Sequence, residues 1–121
     1  MQLSIVSVNN HGVLDKEYVG LTAKSRLNLW DYMLSDSTYH GDGTTSNKHR
    51  HVFDFDELPA ITLEEGDIVI LYTKKGKLSV SDMSSGGKAY SIYWGLNETI
   101  WNKDGDRAIL IKVAERIKKG V

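Results

Sequence analysis

Apolar and polar residues along the chain come in short bursts with a period close to two. The bursts are β-branched or aromatic and are bounded by Gly, Asn, Asp or Ser, the pattern of strands separated by tight turns. Helical periodicity is almost absent. The pattern predicts strands near Leu3 to Val8, Glu17 to Ala23, Tyr32 to Leu34, His51 to Phe55, Asp67 to Thr73, Ala89 to Tyr93 and Ala108 to Val113. Seven short strands with tight turns imply an all-β sandwich or a small barrel. Phe53 and Phe55 alternate with Val52, Asp54 and Asp56, so the phenylalanines share one face and the strand is expected to be half exposed. The run from Ile68 to Tyr72 is apolar on both faces, which predicts a strand covered on both sides or a central strand with an aromatic-lined outer face.

Between these strands, the glycines of Asn9 to Gly12, Glu64 to Asp67, Lys74 to Lys77 and Lys103 to Asp106 stand where a turn asks for positive φ. Ser37 to Lys48, rich in Ser, Thr, Gly, Asp and Asn, and Ser81 to Lys88 are expected to be mobile surface loops. With 121 residues the whole chain, 1–121, reads as one domain large enough to bury a core.

A formal charge of −1 gives no global pull towards nucleic acid or an anionic membrane. The absence of cysteine removes disulfides, thiolate metal sites and cysteine catalysis. The start, Met1 to Val6, has none of the regions of a signal peptide, and no apolar run approaches a bilayer span. The expected location is cytoplasmic if the chain is complete, and extracellular if it was cut from a longer secreted protein.

Four constellations carry candidate chemistry. His40, His49 and His51, with Asp42 and Asp54 nearby, are the one metal-competent cluster, but they lack motif spacing and read first as exposed loop residues. Asn102, Asp104 and Asp106 imitate the opening of a calcium loop, yet Arg107 and Val113 stand where its glycine and glutamate belong. The acidic stretch Asp54, Asp56, Glu57, Glu64, Glu65 and Asp67 reads as solvated surface. Lys48, Arg50, Lys74, Lys75 and Lys77 could form a phosphate-binding patch, with Tyr39 or Tyr72 as a stacking surface, and Arg116, Lys118 and Lys119 add a third basic group. No serine stands in a nucleophile elbow or beside a histidine with an acidic partner. The expectation is a non-enzyme without cofactor or metal.

Four blocks in order give the chain a family likeness. They are Glu17-Tyr18-Val19-Gly20-Leu21; Leu29-Trp30-Asp31-Tyr32-Met33-Leu34-Ser35-Asp36; Phe53 and Phe55 followed by Leu63, Gly66, Asp67, Val69 and Tyr72; and Tyr93-Trp94-Gly95-Leu96-Asn97 through Trp101-Asn102 to Gly105-Asp106-Arg107-Ala108. Together they resemble the lamin tail domain, in its prokaryotic branch. Asp31-Tyr32 stands where that family usually has Gly-Trp, and the residues after Val113 leave little room for a further paired strand.

The resemblance implies an immunoglobulin-like two-sheet β-sandwich of Greek-key type. Its core would be drawn from Ile5, Val19, Leu21, Leu34, Phe53, Phe55, Ile68, Ile70, Trp94, Trp101, Ile109 and Ile111. In animals the family forms the tail of nuclear filament proteins and contacts proteins and DNA; in bacteria it is joined to secreted enzymes and surface proteins as a non-catalytic accessory. It implies no catalytic residues. The function expected is binding of a protein or surface polymer through loops or a sheet edge, with Tyr39, His40 and Tyr90 as candidate contacts and Trp30 as a further aromatic that fits edge packing better. The alternative is a nucleic-acid-associated module using the lysine and arginine patch, and a homodimer through an edge strand is a further candidate.

Overall fold

In a computed structural model the chain is an all-β, sandwich-like arrangement of sheets, described here for residues 1–38, 51–101 and 106–121. Ten strands follow in chain order: β1 Leu3–Asn9, β2 Tyr18–Ala23, β3 Leu27–Asn28, β4 Tyr32–Thr38, β5 Val52–Asp54, β6 Thr62–Leu63, β7 Ile68–Tyr72, β8 Ser79–Asp82, β9 Lys88–Tyr93 and β10 Asp106–Lys112. Five form one sheet in the order β1-β2-β7-β9-β8, three form a second in the order β10-β4-β5, and β3 pairs with β6 in a short ribbon. All seven strands expected from the sequence are present. The pairings are antiparallel except that of β7 with β9, because β8 lies outside β9 and the chain returns between β7 and β8.

Leu3, Val19, Leu21, Val69, Leu71 and Ile92 from the five-stranded sheet meet Tyr32 and Leu34 of β4, with Leu29, Phe55, Leu63 and Trp101 closing the core. Val19, Leu21, Leu34, Phe55 and Trp101 take the places the sequence predicts, and Ile5, Phe53 and Trp94 pack half-buried against them. Two strands take the opposite parity. In β7, Val69 and Leu71 face inward while Ile68 and Ile70 share the outer side with Tyr72. In β10, Ala108 and Leu110 pack on the core and Ile109 and Ile111 are half-buried on the other side. An apolar run on both faces carries no parity signal, so pairing with β2 and β4 decides it.

Ser81 to Lys88, expected as a mobile loop, is instead the end of β8, a closed turn and the start of β9. Met83 donates to the Gly87 carbonyl at 2.8 Å and Gly86, at φ 99°, donates to Met83 at 2.9 Å. The buried Asp67 fixes this turn, accepting from the Lys88 amide at 2.9 Å and the Glu64 amide at 2.8 Å. Only 4% exposed, Asp67 therefore leaves the solvated acidic surface in which its sequence neighbours placed it.

Glu17 is buried to 0% exposure. Its carboxylate accepts from the Thr73 hydroxyl at 2.5 Å, the Gly12 amide at 3.0 Å, the Ile100 amide at 3.1 Å and the Trp101 amide at 3.4 Å. Two segments distant in sequence, at Thr73 and at Ile100 with Trp101, and the nearby Gly12 turn are thereby tied to the start of β2.

The residues after β10 form no regular element, yet they are anchored. Arg116 meets the Asp54 carboxylate at 2.5 and 3.1 Å and the Trp30 carbonyl at 3.4 Å, and Lys118 pairs with Asp56. Burial works to raise the Asp54 carboxyl, but the Arg116 hydrogen bond and the Asp56 amide hold it below its ordinary value.

Tyr32, standing where the resembled family has tryptophan, is 0% exposed. Its hydroxyl is buried with no hydrogen-bond partner among the described residues. Burial raises its pKa, and the Leu3 and Gln2 backbone, which lies close without hydrogen-bond geometry, offsets this only in part. Removing an unpaired buried hydroxyl removes a desolvation penalty, so Tyr32→Phe is expected to gain about 1 kcal/mol in urea unfolding. A loss of similar size would show that the hydroxyl has a partner.

Candidate binding face

The outer side of the five-stranded sheet is built by alternation in β2, β7, β9 and β8, and in β1 on either side of a bulge between Ile5 and Ser7. Register places Asn9, Tyr18, Tyr72 and Tyr93 in one row across four strands. The next row is Ser7, Gly20, Ile70, Ser91 and Ser79, and the third is Ser4, Thr22, Ile68, Ala89 and Ser81. Not one of these residues is charged, although 26% of the chain is Asp, Glu, Lys or Arg. Most are half-buried, as expected of a sheet surface lying open among the described residues.

The tyrosine row has a defined geometry. Tyr72 and Tyr93 stack with centroids 5.0 Å apart and planes 13° from parallel, close to the spacing of neighbouring strands of about 4.8 Å, so the rings stand up from the sheet. Gly76 lies against the far side of the Tyr93 ring, where any Cβ would overlap it. This close approach, rather than a positive φ, is why the turn Lys74 to Lys77 needs glycine. The Lys74 ammonium sits 5.2 Å from the Tyr72 centroid. Tyr18 breaks from the stack, tilted 58° to Tyr72 at 5.7 Å.

Beside Tyr18 the face is hollow. Gly20 lies in mid-strand without a left-handed φ, so nothing in its own backbone asks for glycine. The missing side chain opens a shallow groove of about 160 Å³ bounded by Val6, Ser7, Tyr18, Ile68 and Ile70. Val6 reaches it because a β-bulge between Ile5 and Ser7 leaves it out of register and 65% exposed. The walls are apolar and aromatic and the surround is hydroxyl-bearing, which suits adhesion to an uncharged surface.

Of the residues singled out by sequence, Tyr39, His40, Lys48, His49 and Arg50 lie outside the described residues, as do Asp42, Asn102 and Asp104. Tyr90 faces inward, half-buried against the core opposite Val69, which assigns it to packing. Trp30 is half-buried in the 3-10 turn Leu29–Asp31. His51 is turned to Asp36, whose carboxylate accepts from its amide at 2.9 Å and meets its Nδ1 at 3.1 Å. Asp54 is held by Arg116. Among the described residues no group of three His, Asp or Glu is placed to hold a metal. Lys75 and Lys77 are exposed beside Lys74, at the end of the tyrosine row. Both outer edges of the sheet are open to pairing among the described residues: β8, with all four residues exposed, and β1, which is interrupted by its bulge.

The sequence offers Ile68 to Tyr72 as a central strand with an aromatic-lined outer face, and β7 is that strand, but the face as a whole exists only once five strands are in register. The signal available beforehand was Tyr18-x-Gly20-x-Thr22 beside Ile68-x-Ile70-x-Tyr72, uncharged at one parity in both strands. The chain matches no protein-family model and no curated protein. No helix among the described residues is long and apolar enough to cross a membrane.

Proposed function

We propose that the chain is a non-catalytic binding module of the lamin tail type, which recognises a protein or surface polymer through the outer face of its five-stranded sheet. The family reading is supported by the sandwich-like fold, by the order of the four sequence blocks and by the full burial of Tyr32 at the family's tryptophan position. The observation that carries the function is the uncharged face. An open sheet surface is where a soluble protein ordinarily places Lys and Glu, and charge is depleted where a partner covers the surface.

Ile70→Asp tests the reading, because it sets a charge in the middle of the face and leaves the inward residues Val69 and Leu71 untouched. A ligand found by screening immobilised proteins and polysaccharides should bind Ile70→Asp at least about tenfold more weakly, with an unchanged circular dichroism spectrum. Equal binding by the folded variant would place the contact elsewhere.

The lysine turn favours one other reading, since Lys74, Lys75 and Lys77 adjoin the tyrosine row. That reading requires an affinity for DNA that falls steeply with salt and survives Ile70→Asp.

A further inference from the structure

We infer that the ligand of the outer face is a neutral polysaccharide chain, with one sugar ring seated in the groove over Gly20. This rests on the binding-module reading above and adds the chemistry of the ligand. The groove, of about 160 Å³, has the volume of about five waters, room for one six-membered ring. Tyr18, Ile68 and Ile70 give it apolar walls, matching the C–H faces of a pyranose, and Tyr18 is the ring turned out of the tyrosine stack to line it. Around the groove the face continues as hydroxyls and an amide, among them Ser7, Thr22, Ser91 and Asn9. Ser7 Oγ donates to Asn9 Oδ1 and Thr22 Oγ1 to the Asp67 carbonyl at 3.4 Å, so these hydroxyls offer a sugar their lone pairs, the Asn9 amide offers its N–H donors, and with Ser91 they meet sugar hydroxyls without regard to charge.

Complementarity of charge selects this occupant. An anionic glycan or nucleic acid would find no cation on the three rows, where Lys74 reaches only the rim, over Tyr72. A lipid surface would find serine and threonine where it needs apolar side chains. A polymer also fits the shape, because the rows extend beyond the groove across five strands and can meet successive sugars of an extended chain.

The test titrates the ¹⁵N-labelled protein with cellohexaose, xylohexaose, mannohexaose and chitohexaose, with polygalacturonate as the charged comparison, and follows amide shifts. The expected result is saturable binding of at least one neutral hexasaccharide, with shifts centred on β2 and β7 and an affinity unchanged between low and high salt. Gly20→Val fills the groove with a side chain that β-structure favours, at the expense of a close approach to Ser7 Oγ, 3.3 Å from the new Cβ. It should weaken binding about tenfold or more, and Tyr18→Leu, which leaves the groove open, should weaken it as well. Loss in both variants with native spectra supports the groove. Absence of binding by all four neutral sugars overturns the inference. If the same amides then shift with protein concentration, the occupant is a second copy and the binding-module reading stands. Shifts confined to the Lys74 to Lys77 turn, with polygalacturonate or DNA, overturn both.

Discussion

Replacing Glu17 by alanine is expected to cost about 4 kcal/mol of folding stability, a large share of the roughly 5–15 kcal/mol available to a domain of this kind. The carboxylate is wholly buried, and among the described residues no Lys or Arg pairs with it; the Thr73 hydroxyl and the amides of Gly12, Ile100 and Trp101 satisfy it. Removing it leaves these donors without their acceptor, each at a desolvation penalty of about 1–3 kcal/mol to the extent that water cannot reach it. Glu17→Gln keeps the shape and one acceptor oxygen but turns an NH2 group towards other donors, so a loss of about 2–3 kcal/mol is expected. Urea unfolding monitored by tryptophan fluorescence measures both. A cost below about 1 kcal/mol for alanine would mean that water replaces the carboxylate and that Glu17 is no staple.

Glu17 also marks where the sequence stops being legible. Its own neighbourhood, Glu17-Tyr18-Val19-Gly20-Leu21, announces a strand and places the glutamate at the strand's start, where a charge is ordinarily exposed. What buries it arrives from Thr73 and from Ile100 and Trp101, the last two more than eighty positions later. Asp67 repeats the lesson, since its role depends on a hairpin turn that pairs with it only in the folded sheet. Strand existence, by contrast, is a local property, and β1, β2, β4, β5, β7, β9 and β10 were all readable from alternation and turn residues. β8 was missed because Ser79-Val80-Ser81-Asp82 is polar on one side and has little covering it on the other, as its full exposure shows.

The candidate site was half legible for the same reason. Loops are the natural place to look for contact residues, of which Tyr39 and His40 lie outside the described residues, whereas the candidate face draws its members from five strands. Tyr18 and Tyr72 could each be seen as aromatic. Their juxtaposition at 5.7 Å, and the hollow at Gly20, follow only from the register of β2 against β7. Parity mattered twice here. Assigning Ile68 and Ile70 to the core, as the family resemblance implies, hides the apolar floor of the groove by placing it inside.

Trp101→Ala is expected to cost about 3–5 kcal/mol, the loss typical of deleting a buried indole whose surroundings collapse only in part. Trp101 is 2% exposed and meets Trp94 edge-on with centroids 6.5 Å apart; Trp94 meets Phe53 at 5.6 Å and Phe53 meets Phe55 at 5.1 Å. The chain of rings links the segment after β9 to β5 and the turn that follows it, so the cavity would loosen the contacts between them. Trp101→Phe keeps an aromatic edge towards Trp94 and should lose less, about 1–3 kcal/mol. The Trp101 amide donates to Glu17, so the indole and the carboxylate hold the same stretch of backbone. Their effects should therefore not add: once alanine at 101 frees the backbone, deleting Glu17 has less left to release, by a coupling of about 0.5–3 kcal/mol. A double-mutant cycle in urea with Glu17→Gln measures it. Strict additivity would show that the buried carboxylate and the aromatic cluster stabilise the fold independently.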